Sequence, residues 1–270
     1  MRIVSWNMNH WRRTPAARKA AWQFLKQLQP DIALLQEAMP DEEVPFPYLV
    51  FRSGGIGKSR PWGSAVVSFS APAVAITEAR SRYSKKPCDL HATFLGSLAI
   101  ARVGELTVIS HYGLIHDSYA VTTVHRQLSD LTPLFDSPLG KRVVLGGDLN
   151  LSTQLDEPHR SRHRNLLDRF ACFGLVDCLA LNRPPRPPLE NCPCGDSPCS
   201  HVRTQRHGRS RTPWQNDYIF VSKSLRSAVK GCFPLDRGDP DPWQLSDHCP
   251  LILDMDIELP NKAVYPIGPP

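Results

Sequence analysis

Several apolar runs in this chain begin or end at a polar residue whose side chain could do chemistry. These residues are Asn7, Glu37, His111, Asp148 with Asn150, Asp217, and Asp247 with His248. The stretch from Arg142 to Asn150 shows the pattern most fully. Val143, Val144 and Leu145 form a short β-branched apolar run, the mark of a buried strand. Gly146 and Gly147 are expected to stop that strand and let the backbone turn. Asp148 and Asn150 stand two residues apart, so in extended geometry their side chains point the same way. A carboxylate and an amide projecting from a rigid strand end suit an oxygen-ligated divalent ion and a phosphate oxygen. The same pair would also close an ordinary Asx turn, and this stretch alone supports both readings. One polar strand end is readily a cap or a turn former. A set of them spread along the chain is better explained as the common floor of a site.

The elements that must position these residues can be read in order. Arg2 to Met8 reads as a first buried strand. Thr14 and Pro15 open a helix as N-cap and first helical residue, and Ala17, Ala20, Ala21, Phe24, Leu25 and Leu28 supply its apolar stripe. Asp31 to Gln36 is a second buried strand ending at Glu37. The unit is therefore β–helix–β, which predicts a parallel pair with a right-handed crossover. Strands are expected near 48–52, 64–69 and 73–77. Residues 53–63 read as a mobile surface loop whose glycines lack the spacing of a P-loop. Residues 94–103 and 105–110 read as a hairpin turning at Gly104 and delivering His111. Val121, Val124, Leu128, Leu131 and Leu134 predict a helix over 118–135, bent at Pro133. A basic helix is expected over 159–173, with Gly174 as its C-cap. Further strands are expected from Trp214 to Val221, over 228–233, and from Pro250 to Ile257. The whole predicts one α/β sandwich domain over 1–259, with a Cys/Pro-rich insertion at about 182–201 and a flexible tail over 260–270.

Composition narrows the class. The chain has 270 residues, 41% hydrophobic and 21% charged, an ordinary globular balance. It holds no apolar run long enough for a membrane span. Its N-terminus reads as a strand and not as a signal peptide, so a cytoplasmic protein is expected. The net charge of +6 favours a polyanionic partner.

Trp6-Asn7, Gln36-Glu37, Gly147 to Asn150, Asp217 to Phe220 and Ser246 to His248 occur in the order seen in the endonuclease/exonuclease/phosphatase superfamily. The chain resembles that family from about residue 2 to residue 257. The resemblance implies a four-layer α/β sandwich, two mixed β-sheets packed face to face with helices outside. It also implies Mg²⁺- or Mn²⁺-dependent cleavage of phosphoester bonds. By the same resemblance, Glu37 is the main metal ligand, helped by Asn7 and Asp247, all oxygen donors. Asp148 orients or deprotonates the attacking water, and Asn150 holds a phosphate oxygen. His248 sits at the scissile phosphate as base or charge stabiliser, with Asp217 bonded to its other nitrogen. His111 takes the place of a second phosphate-facing histidine. One departure stands out: some abasic-site endonucleases of the family carry an acid two residues after the first Asn, and here that residue is Asn9. His10 and Trp11, which follow it, read as structural, with loop residues near the site as the alternative.

Two arginine groups flank these motifs: Arg160, Arg162 and Arg164, then Arg203, Arg206, Arg209 and Arg211. Beside a phosphodiester centre they suit sequence-independent gripping of a nucleic-acid backbone; the alternative is a solvated basic face. Trp62 and Trp243 could stack on bases or serve as partly buried anchors. Cys192, Cys194, Cys199 and His201 offer three thiols and an imidazole within ten residues, which fits a structural Zn²⁺ site. A disulfide or free thiols are the alternatives. The leading reading is a nuclease acting on DNA or RNA. The rivals are a phosphatase for a phosphoinositide, nucleotide or other small phosphoester, and a catalytically silent binding module, against which the intact set of polar residues argues.

Overall fold

The computed structural model describes residues 1–40, 46–54, 61–91, 93–116 and 119–259. The centre of the expected 53–63 loop and the 260–270 tail lie outside the described residues. In chain order the strands are β1 (Arg2–Asn7), β2 (Ile32–Ala38), β3 (Tyr48–Ser53), β4 (Gly63–Ser68), β5 (Ala73–Ala75), β6 (Glu78–Ala79), β7 (Cys88–Asp89), β8 (Leu98–Val103), β9 (Leu106–His111), β10 (Val143–Asp148), β11 (Leu175–Asp177), β12 (Asp217–Ser222), β13 (Val229–Pro234) and β14 (Leu251–Met255). The α-helices are α1 (Pro15–Gln27), α2 (Val121–Phe135), α3 (His159–Cys172) and α4 (Pro242–Leu245).

Among the described residues these strands form two six-stranded mixed sheets, β13-β14-β1-β2-β4-β3 and β11-β12-β10-β9-β8-β5, and a small two-stranded one, β6-β7. The parallel pairs are β1 with β2 and β9 with β10, and each is joined through a helix, as a parallel crossover requires. Period-two alternation then builds the layers. Ile3, Leu34, Val66 and Leu253 of the first sheet meet Ala101, Val108, Val144 and Ile219 of the second in one core. The outward residues Val4, Trp6, Leu35 and Val67 pack on Trp22, Phe24 and Leu25 of α1. Ile109, Leu145 and Phe220 pack on Leu128 and Leu131 of α2 and on Leu166 and Phe170 of α3. This is the expected four-layer sandwich. Each of these fully buried large aliphatic side chains contributes about 2 kcal/mol.

Local signals act where the sequence puts them. The Thr14 hydroxyl accepts the Ala17 N–H at 3.3 Å and Pro15 opens α1. Gly174, at φ +77°, ends α3 in the left-handed region that favours glycine. The glycines of β10 act differently from expectation. The strand does not stop at Gly146 and Gly147 but runs through both to Asp148. A Cβ on Gly147 would lie 1.7 Å from the His111 carbonyl oxygen, and one on Gly146 would lie 2.9 Å from the Ser5 hydroxyl oxygen. Their role is close approach, to β9 beside them and to the facing sheet. The turn itself falls at Asn150, at φ 49°. The strand expected from Trp214 begins only at Asp217, and the first strand of the 94–110 hairpin begins at Leu98.

Gly147→Ala is expected to lower stability by about 3 kcal/mol or more, since the new methyl meets backbone that cannot move aside. Gly174→Ala, where nothing lies within 4 Å, is expected to cost about 1 kcal/mol, for the left-handed backbone alone. Urea unfolding of both variants checks the order; equal losses would contradict the close-approach role of Gly147.

Candidate active site

The alternation that builds the intersheet core also delivers the site. Ile3, Ser5 and Asn7 share the inner face of β1, as Val144, Gly146 and Asp148 share that of β10 and Asp217, Ile219 and Val221 that of β12. The apolar members fill the core and the polar ones meet at its edge. His248 reaches them from the loop before β14. That loop is pinned to β1: the Ser246 hydroxyl donates to the Asn7 carbonyl at 2.7 Å, and the Trp6 indole N–H donates to the His248 carbonyl at 2.9 Å.

At the centre His248 Nδ1 donates to Asp217 Oδ2 at 2.8 Å, while Nε2 stands 3.7 Å from Asp148 Oδ2. All three side chains are buried. Burial drives the His248 pKa down, but the carboxylates of Asp217, Asp148 and Asp247 outweigh it and hold it up at about 10. Burial pushes Asp148 up to about 7, opposed by His248 and reinforced by the charges of Asp217 and Glu37. Asp148 also receives Asn7 Nδ2 at 2.9 Å and the Asn150 backbone N–H at 3.0 Å. Asn150 Nδ2 reaches Asp148 Oδ2 at 3.2 Å and the Gly113 carbonyl at 2.9 Å. The Asp148–Asn150 pair is thus both an Asx turn and part of the cluster.

Glu37 arrives by a distortion. Strict alternation would aim it outward with Leu35. A bulge in the β2–β4 pairing and φ 47° at Glu37 turn it inward instead. Its carboxylate accepts from Asn7 Nδ2 at 3.3 Å and from the Trp11 indole N–H. Asn7 therefore shows its amide NH₂ to two carboxylates, and its Oδ1 accepts the Asn9 N–H at 2.9 Å. Asn9 Nδ2 in turn donates to Asp247 Oδ1. An acid at position 9 would face Asp247 with no donor, so the amide suits its neighbour. Glu37, Asp148 and Asp217 are buried carboxylates, and among the described residues the cationic partner of Asp148 and Asp217 is His248 alone. That excess of negative charge and the hard oxygen donors fit a divalent cation.

Other residues fall elsewhere. His111 was expected to face phosphate; it lies on the outer face of β9. It is fully buried against Phe170, with Nε2 2.9 Å from Gln127 Oε1 of α2. The reason is parity: Ser110 takes the inner face, so His111 must point out. Trp62 and Trp243 are buried anchors, not exposed stacking platforms: Trp62 packs edge-on to Tyr112, and the Trp243 indole donates to the Asp236 carbonyl at 2.7 Å. The Arg203 and Arg206 guanidiniums lie over Trp243, and the Arg206 N–H donates to the Asp247 carbonyl, which sets this pair beside the site. Arg160 is bonded to the Leu155 carbonyl, and Arg162 and Arg164 are exposed on α3. Arg209 and Arg211 are exposed on the loop whose His207 and Ser210 help line a cavity of about 280 Å³. Asn150, Tyr119, Trp214 and Asn216 line the same cavity, next to the carboxylates. Cys192, Cys194, Cys199 and His201 bring one ligand atom each within 4.8 Å of one another.

Sequence reasoning missed two residues here. Trp11, read as structural, bonds Glu37. Thr204, whose hydroxyl oxygen accepts the Asn216 and Asp217 N–H groups at 3.0 and 3.1 Å, fixes the start of β12. The proximity of Trp11 to Asn7 in sequence hints at the first; no local pattern marks the second.

A sequence profile of the Endonuclease/Exonuclease/phosphatase family matches residues 4–248. No curated protein sequence gives a match. Solved structures similar in fold include an AP endonuclease from Archaeoglobus fulgidus, with 18% identity, covering 95% of this chain and 100% of that one at TM-score 0.62. A 3′ phosphatase, NExo, from Neisseria, bound to product DNA hairpin, has 21% identity, coverage of 95% and 100%, and TM-score 0.62. The AP endonuclease LMAP from Leishmania major has 17% identity, coverage of 95% and 88%, and TM-score 0.67.

Burial holds His111 at about 4, against a weaker upward pull from Gln127. Burial, then the charge of His159, also lowers His163 to about 4, and its Nδ1 accepts the Ser152 N–H at 2.9 Å. Both stay neutral in the fold while the unfolded chain protonates near 6.5. Their stabilisation is complete above pH 6.5 and is lost as pH falls toward 4. Asp148 and Asp177, whose carboxyls burial raises to about 7 and about 6, act the opposite way over the same range. The check is therefore a difference: urea unfolding of His111→Gln should show less stability lost between pH 6.5 and pH 4 than wild type. An unchanged slope would rule out a buried neutral His111.

Proposed function

The chain belongs to the endonuclease/exonuclease/phosphatase family, and on that premise we propose that it is a Mg²⁺- or Mn²⁺-dependent nuclease. It would hydrolyse phosphodiester bonds of DNA or RNA by in-line attack of an activated water. The observation that carries this reading is the buried Asp217–His248–Asp148 chain beside Glu37 and Asn7, at the edge of the intersheet cleft. Glu37 would hold the cation, with Asp247 as a further oxygen donor; the Asn7 amide, expected as a ligand, instead gives its N–H groups to Glu37 and Asp148 while its oxygen accepts the Asn9 N–H. The bound cation would neutralise charge developing on the phosphoryl oxygens.

The chain's own residues take the remaining roles. Asp217 locks the His248 ring by its bond to Nδ1, leaving Nε2 toward the cleft. Flanked by carboxylates, His248 favours the imidazolium form, which suits a donor to a phosphate oxygen. Asp148, held by Asn7 and Asn150, is then the group placed to take the proton of the attacking water. The Asn150 amide, on the cavity wall, orients a phosphate oxygen. Polynucleotide is favoured over a small phosphoester by the net charge of +6 and by the exposed Arg206, Arg209 and Arg211 at the rim. Trp214 in the adjoining cavity offers an aromatic ring to a base or sugar, while Tyr119 beside it is stacked on His159. Two of the similar folds are AP endonucleases, and the third is a 3′ phosphatase bound to a DNA product.

An activity panel of plasmid, single-stranded DNA, RNA, abasic duplex, 3′-phosphorylated DNA and phosphoinositides, with Mg²⁺ or Mn²⁺, tests the reading. Cleavage of a nucleic acid is expected, weakening as salt rises. Asp148→Ala and His248→Ala should each lower kcat by about 10²–10⁴. Hydrolysis of phosphoinositides alone, with every nucleic acid left intact, would replace the nuclease reading with the phosphatase one. Asp217→Asn is expected to lower kcat with little change in KM, because it releases the ring of His248 and touches no substrate. A loss confined to KM would place Asp217 in binding instead.

A further inference from the structure

Away from the carboxylate cluster, the segment 182–201 contains neither helix nor strand, and it carries Pro184, Pro185, Pro187, Pro188, Pro193 and Pro198. Such a stretch has no hydrophobic core of its own, and a crosslink or metal is the usual way to hold one in a single shape. It does hold a shape here. The Cys192, Cys194 and Cys199 sulfurs and the His201 imidazole all converge within 4.8 Å. His201 Nδ1 lies 3.7 Å from Cys192 Sγ and 3.6 Å from Cys199 Sγ. In a tetrahedral site with Zn–S of ~2.3 Å and Zn–N of ~2.05 Å, the sulfur–nitrogen edge is ~3.6 Å.

We propose that Cys192, Cys194, Cys199 and His201 bind one Zn²⁺ and that this ion braces the loop behind Asp148 and Asn150. The surroundings match a closed thiolate site. The second ring nitrogen of His201, Nε2, is bonded to the Thr153 hydroxyl at 2.7 Å, which orients the ring and leaves Nδ1 facing the sulfurs. Two N–H groups point at sulfur: the Asp196 amide to Cys194 at 3.4 Å and Gln154 Nε2 to Cys192 at 3.3 Å. Gly195, at φ +74° with nothing within 4 Å, allows the tight reversal after Cys194. All three cysteines are free thiols, so no disulfide competes for them in this structure.

The same bonds show what the ion would hold. Thr153 and Gln154 belong to the loop that leaves β10 just after Asn150. Gln154 Nε2 also donates to the Pro213 carbonyl at 2.8 Å, and its Oε1 accepts the Gln215 N–H at 2.7 Å. One residue thereby ties the thiolate cluster, the Asn150 loop and the approach to Asp217 together. Zn²⁺ would stiffen that junction while standing apart from the carboxylates, which suit a harder cation.

The test is metal analysis of purified wild-type protein never exposed to chelators, with Asp148→Ala and Cys194→Ser alongside. About one equivalent of zinc is expected in wild type and in Asp148→Ala, and well under half an equivalent in Cys194→Ser. Co²⁺ exchanged into the wild-type protein should show the intense visible bands and thiolate charge-transfer of a tetrahedral sulfur-ligated ion, a readout that needs no variant to fold. Titration in denaturant with chelator should find all eight thiols. Less than half an equivalent of zinc in wild type, absence of the Co²⁺ bands, or two thiols missing to a disulfide would each overturn the site. Loss of zinc in Asp148→Ala would assign the ion to the carboxylate cluster instead. None of these readouts depends on nuclease activity, so failure of the zinc site and failure of the nuclease reading are separable.

Discussion

The rest of the site depends on one buried arrangement, an imidazole held between two carboxylates where two sheets meet. His248 bonds Asp217 at 2.8 Å and faces Asp148 at 3.7 Å. Burying these groups is costly, and each is tolerated because the others are there. Removing the ring would leave two buried carboxylates facing each other. Removing either carboxylate would strip the imidazolium of support. The pair Asp217 and Asp148 lies on neighbouring antiparallel strands in direct register, which sets the separation that the ring spans.

That arrangement needs the two sheets to approach closely, and β10 is built for it. Gly146 brings the second sheet near Ser5, and Gly147 brings β10 near the β9 backbone. Any side chain there would push Asp148 away from Asn7. On the opposite side the bulge in β2 accomplishes something that regular pairing could not, by turning Glu37 into the cleft. A left-handed backbone at a glutamate costs on the order of 1 kcal/mol, and the fold retains it where the carboxylate meets Asn7 and Trp11. Strain is thus accepted at the position whose carboxylate the cation would need.

Around this centre the supports are neutral. Asn7, Asn9 and Asn150 hold carboxylates by amide N–H groups, Ser246 and Thr204 hold backbone, and Trp6 holds the His248 carbonyl. Neutral donors fix geometry without cancelling the negative charge that makes the cleft attractive to a cation. Positive charge is kept to the rim, where Arg203 and Arg206 lie over Trp243 and Arg209 and Arg211 face solvent.

The sequence by itself determined the layers and most of the floor of the site. The apolar runs Ile3 to Trp6, Val143 to Leu145 and Tyr218 to Val221 are local properties, and they set which polar residue stands at each strand end; being buried on both faces, they do not say which face is the inner one. It determined the first helical crossover as well, because Thr14, Pro15 and the stripe of α1 are local signals, whereas the parallel pairing of β9 with β10 through α2 came from the fold. Tertiary structure decided what depends on contacts distant in sequence. Parity along β9 put His111 against Gln127 of α2 and took it out of the cleft, because Ser110 meets the facing sheet and the next side chain must point the other way. The bulge decided that Glu37 enters, and the facing sheet decided that Gly146 and Gly147 are spacers and not a stop. Trp11 and Thr204 joined the site only through partners placed by the fold. Strand alternation is written into neighbouring residues, whereas the distance between two sheets is set by side chains that meet only after both have formed.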